Sequence, residues 1–92
     1  MKDVKQVNTK ADEEVVVTMN LKRSSFLVKN FTGKEIQVYL GDNPNYSLIG
    51  PNSWERLFNN VDDKVSSSAA ATNKVRIVAK EVGVVEVASI DY

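Results

Sequence analysis

The sequence predicts an all-β fold: one antiparallel β-sandwich of Ig-like or jelly-roll character, with about seven to eight short strands. Three observations carry this expectation. Fifteen Val, four Ile and four Thr give the chain the β-branched population of pleated, half-buried surfaces. Apolar and polar residues alternate with period two in run after run. Clusters of Gly, Pro and Asn separate the runs at the short spacing of a strand meander.

The 92 residues read as a single domain. Residues 1–13 contain Val4 and Val7 and end near the acidic run Asp12-Glu13-Glu14, so they read as an edge strand or as an arm reaching a neighbour. Next, Val15, Val17, Met19 and Leu21 alternate with Val16, Thr18 and Asn20. Phe26 and Val28 alternate with Leu27 and Lys29, and Ile36, Val38 and Leu40 with Glu35, Gln37 and Tyr39. Asn30 to Lys34 is expected to be a compact hairpin loop in which Gly33 supplies a positive φ. Gly41 to Asn45 and Gly50-Pro51-Asn52 are further turns, and Ser53 to Phe58 is a strand carrying the sole Trp.

Residues 59–73 interrupt this rhythm, with little to bury. Loops that long inside compact domains are mobile surface segments or functional ones. In the functional reading a neighbouring subunit orders the segment, which makes Ser67 and Ala70 interface candidates. Val75, Ile77 and Ala79 then face away from Lys74, Arg76 and Val78. Glu81-Val82-Gly83 links this run to the last one at hairpin spacing, and Val84 to Ala88, apolar on both rows, is expected to be buried on both sides.

Composition bounds the chemistry. Twelve Lys plus Arg balance twelve Asp plus Glu, so the basic footprint of a nucleic-acid binder is missing and anionic lipid exerts no strong pull. With no His and no Cys, imidazole bases, thiol nucleophiles and disulfides are excluded. No enzymatic activity, catalytic residue or cofactor is expected. Asp42, Asn43 and Asn45 crowd oxygen atoms into one turn, and Asp62-Asp63 do so in the long segment. Neither shows the spaced ligands of a calcium loop, so both read as turn-forming residues and no metal site is expected. Asn30-Phe31-Thr32 and Asn45-Tyr46-Ser47 match the glycosylation triplet and read as chance, because no signal peptide or membrane span is recognisable.

Aromatic residues are the remaining candidates. Tyr39 lies on an outward row and Tyr46 in a turn, both suited to an interface. Trp54 shares one face with Arg56 and Phe58. The core is its expected home, and the alternative is an exposed anchor at an interface.

The run Ser25 to Gly41, followed by Ile49-Gly50-Pro51-Asn52-Ser53-Trp54-Glu55, resembles small virion-associated β-domains from the head, neck and fibre region of tailed phages and prophages. Residues 74–79 and 84–87 are similar to the terminal hairpin of those domains, while 59–73 has no counterpart in them. The resemblance implies a non-enzymatic structural protein of a virion, assembled in the bacterial cytoplasm. Such a protein would self-associate as a homo-oligomer or dock on other phage structural proteins. A carbohydrate- or host-surface-binding module using Tyr39, Tyr46 and Trp54 is the alternative. Asn43 to Tyr46 also resembles one loop of chagasin-like protease inhibitors, whose other loops have no counterpart in this sequence.

Overall fold

Eight strands account for nearly all of the regular structure in a computed structural model of the chain, which describes residues 2–59 and 71–90. They are β1 (Lys2–Asn8), β2 (Glu14–Arg23), β3 (Ser25–Asn30), β4 (Ile36–Leu40), β5 (Ser47–Ile49), β6 (Ser53–Phe58), β7 (Thr72–Val78) and β8 (Val84–Ile90). Two antiparallel sheets of four result, ordered β1-β8-β3-β6 and β2-β7-β4-β5. Only β4 and β5 are consecutive strands within one sheet. Every other connection crosses to the opposite sheet. This strand order is the jelly roll, one of the two arrangements expected.

The alternating rows explain the packing. Phe26 and Val28 of β3, Val85 and Val87 of β8 and Leu57 of β6 face Val17 and Met19 of β2, Val75 and Ile77 of β7, Ile36, Val38 and Leu40 of β4, and Ile49 of β5. Each such side chain contributes roughly 1.5–3 kcal/mol of transfer free energy when fully buried. The period-two readings for Val17, Val38 and Val75 thus describe the core that forms.

Three connections differ from their expected form. Asn30 to Lys34 and Glu81 to Gly83 are not hairpin loops, because β3 and β4, and likewise β7 and β8, lie in different sheets. Gly33 does not adopt a positive φ; Gly41 does, at 60°, joined by Asp12 and Asn52. A Cβ on Gly41 would also stand 2.9 Å from Thr72 Oγ1, so only Gly fits there without strain. The unusual segment is shorter than expected, because Thr72 and Asn73 already belong to β7. Residues 60–70, including Ser67, Ala70 and Asp62-Asp63, lie outside the described residues.

Two strands correct the sequence reading as well. β5 is only three residues long, too short for alternation to reveal. β8 is central in its sheet, yet its outer face is not fully covered. Glu86 there pairs with Lys29 at 3.6 Å and accepts a hydrogen bond from Gln6 Nε2 at 3.1 Å, while Val84 is exposed.

Residues 2–8 form an edge strand, β1, pinned to the second sheet by one carboxylate. Asp3 is 4% exposed, and its Oδ2 accepts hydrogen bonds from the backbone N–H groups of Asn20 (2.7 Å) and Leu21 (3.1 Å). Its Oδ1 accepts a third from Asn20 Nδ2 at 3.0 Å. These amides fall where the β2–β7 register shifts, between Thr18 and Arg23, so Asp3 supplies partners that the ladder does not.

Asp3→Ala should therefore lower unfolding stability by about 2 kcal/mol, because three hydrogen bonds to a charged acceptor are lost together. Urea denaturation measures this, and a midpoint equal to that of the parent would show that Asp3 does not hold the two sheets together.

Candidate interaction surface

The two ends of the sandwich are built differently. At one end the connections β1–β2, β3–β4, β5–β6 and β7–β8 are tied by buried polar groups. Asn30, 1% exposed, donates from Nδ2 to the carbonyls of Lys34 (2.8 Å), Gly50 (2.9 Å) and Ile49 (3.2 Å). Two protons serve three acceptors, so one is shared. Its Oδ1 accepts from Thr32 N at 2.8 Å, and Thr32 Oγ1 lies 2.7 Å away. Thr9 closes the same end: its hydroxyl donates to Glu81 O at 2.8 Å and accepts from Gly83 N at 2.9 Å. With its amide group occupied in this way, Asn30 presents no accessible glycosylation site in the folded chain.

The opposite end holds the β4–β5 turn, and there two of the predicted site residues meet. Tyr39, half-buried on β4, and Tyr46, 49% exposed at the end of the turn, have ring centroids 5.4 Å apart at 57°. Tilted pairs at this separation suit the aromatic quadrupole. Arg76, the cross-strand partner of Tyr39, places its guanidinium carbon 4.6 Å from the centre of that ring. Its Nε donates to Gly41 O at 2.8 Å, its Nη2 to Asn43 O at 2.9 Å, and its Nη1 lies 3.4 Å from Glu14 Oε2. The arginine thus holds the turn by its carbonyls and supports the tyrosine from below. Within the turn, Asn43 Oδ1 accepts from Asn45 N at 2.9 Å, a local backbone role for the Asn43 side chain.

Beside this turn a cleft of about 220 Å³ opens between the sheets. Val38 and Leu40 form its floor, with Tyr46 and Phe58 at its walls and Asn43, Asn45 and Ser47 supplying polar groups.

Trp54 is not in the core. It is 64% exposed on the outer face of the other sheet, away from the tyrosine pair, while Phe58, 57% exposed four residues further along β6, borders the cleft. Two features of β6 explain the correction. Trp54 shares its row with Arg56, whose burial would demand a partner. The inward row Ser53, Glu55 and Leu57 buries only Leu57, because three-residue β5 scarcely extends over this edge. The platform expected from Tyr39, Tyr46 and Trp54 together is therefore split between two faces. Val4 and Val84 are exposed on the Trp54 face, and Val16 and Leu48 on the Tyr46 face.

Arg76 is the functional-surface residue that sequence reasoning missed. Its outward row was legible, but its hold on the turn depends on the β4–β7 register, which no local pattern encodes. Comparison of the chain with protein-family models, curated proteins and solved structures finds no match.

Arg76→Met keeps much of the stem and removes the donors. Amide hydrogen exchange at Gly41 and Asn43, whose N–H groups bond to Lys74 O and Leu40 O, should accelerate while core amides stay protected. Unchanged exchange in the turn would mean that the arginine does not hold it.

Proposed function

We propose that this chain is a non-enzymatic, self-associating structural subunit that builds or decorates a particle. The setting implied by the sequence resemblance is a phage or prophage virion assembled in the bacterial cytoplasm, with further copies or other virion proteins as partners. The observation that carries the reading is the outer surface of the sandwich. Large apolar side chains stand exposed on both sheets: Val4, Trp54 and Phe58 on one, Val16, Tyr46 and Leu48 on the other. Single exposed apolar residues are ordinary, but exposed Trp, Tyr and Phe on both faces have the composition of interface anchors. A balance of charges near zero favours association by lowering repulsion between copies. Jelly rolls serve in viral capsids and in lectins, an analogy of fold rather than of site.

The second reading, a carbohydrate- or host-surface-binding module, draws on the cleft beside Tyr46. An aromatic wall with nearby amide and hydroxyl groups suits the apolar face and hydroxyls of a sugar.

Absolute mass by light scattering across a hundredfold range of concentration separates the two. The structural reading expects a defined oligomer, or a mass rising with concentration toward one. A monomer throughout, with the fluorescence of Tyr46→Trp perturbed by added glycans, would replace it with the binding-module reading.

A further inference from the structure

A β-sandwich has four edge strands, and three of these carry devices that discourage pairing with another chain. β1 contains Lys5 and turns the charged Asp3 inward. β2 breaks its register after Thr18, and Asp3 occupies the amides of Asn20 and Leu21. β5 has only three residues and lies between Pro44 and Pro51.

The fourth edge, β6, differs. It pairs with β3 without a break from Ser53 to Phe58 and contains no Pro, Gly or Lys, and the charge on its inner row, Glu55, is exposed where Asp3 of β1 is buried. Among the described residues, no strand pairs with its other side. Its outward row is Trp54, Arg56 and Phe58, all exposed.

We propose that β6 pairs antiparallel with β6 of a second copy across a twofold axis at Glu55, joining two four-stranded sheets into one of eight. This rests on the self-association reading above and names its contact. A second copy suits the edge better than a free peptide, because its β6 is already held extended by β3 and needs little further ordering. The strand is also self-complementary. In antiparallel pairing, directly opposed residues share a face. An axis at Glu55 places Trp54 opposite the partner's Arg56 and Arg56 opposite the partner's Trp54, two cation–π pairs on the outer face. Sliding to an axis at Arg56 would instead oppose two arginines between the aromatic rings. The axis at Glu55 does oppose two carboxylates, but on the inner side that β5 scarcely covers, where water screens them.

The absence of cysteine makes the test direct. Opposed Cα atoms at the axis fall within the separation that a disulfide spans, whereas diagonal neighbours do not. Glu55→Cys should therefore oxidise to a covalent dimer of doubled mass on a non-reducing gel, while Leu48→Cys, on the other sheet, stays single. Parental mass by light scattering is measured alongside, and melting curves confirm that both variants fold. A parent that associates while Glu55→Cys stays single, or cross-links no faster than Leu48→Cys, overturns pairing at this edge but leaves self-association standing. Preferential cross-linking of Arg56→Cys overturns the axis. A parent that remains monomeric overturns this proposal and the self-association reading together.

Discussion

The jelly roll depends on a buried amide. Six of the seven connections between the described strands cross between sheets, and backbone groups that leave the ladder at such a crossing need other partners. Asn30 meets this need at two crossings at once. Its Nδ2 binds Lys34 O in the β3–β4 crossing and Ile49 O and Gly50 O in the β5–β6 crossing, while its Oδ1 receives Thr32 N. Two segments, one at Lys34 and the other at Ile49-Gly50, are thereby fixed to one side chain. Thr32 extends the network to a third crossing by contact, since a Cβ on Gly83 would stand 2.7 Å from Thr32 Cγ2. Thr9 then ties Gly83 to the β1–β2 connection.

That closed, polar end contrasts with the rest of the surface. The opposite end has one true hairpin, stabilised by Arg76 from below, and the cleft that Tyr46 and Phe58 border. Between the ends, the outer faces expose aromatic and aliphatic side chains. The edges are protected unequally, with β6 left regular and open among the described residues. A domain of this size buries only about two-thirds of its unfolded surface. Association through an open edge would add burial and extend a hydrogen-bonded sheet in a single step.

The sequence made some of this legible and hid the rest for physical reasons. Alternation reports local exposure, so the inward rows Ile36-Val38-Leu40 and Val75-Ile77-Ala79 are readable before any tertiary information, whereas β8, apolar on both rows, hides which row faces in. It says nothing about which sheet receives the next strand. Asn30 to Lys34 and Glu81 to Gly83 therefore looked like hairpin loops, since short Gly-containing links serve hairpins and sheet crossings alike. Trp54 was misplaced because its burial depends on how far the opposite sheet reaches, and β5 is too short to cover β6. Tyr39 and Tyr46 both belong to the expected platform, but their contact follows from the β4–β5 hairpin. Arg76 joins them only through the β7 register. The structural role of Asn30 was concealed by its position at a strand end, where Asn is ordinarily a turn former.

The most direct test of this account is the urea unfolding of Asn30→Asp at neutral pH. The substitution keeps the shape but replaces the donor facing three carbonyls with a second acceptor bearing charge. The account predicts a loss of about 3 kcal/mol or more, a large fraction of the roughly 5–15 kcal/mol that holds an ordinary domain together. Unfolding within about 1 kcal/mol of the parent would contradict it, since a net effect that small is no more than one typical hydrogen bond. The crossings would then be held by strand packing alone.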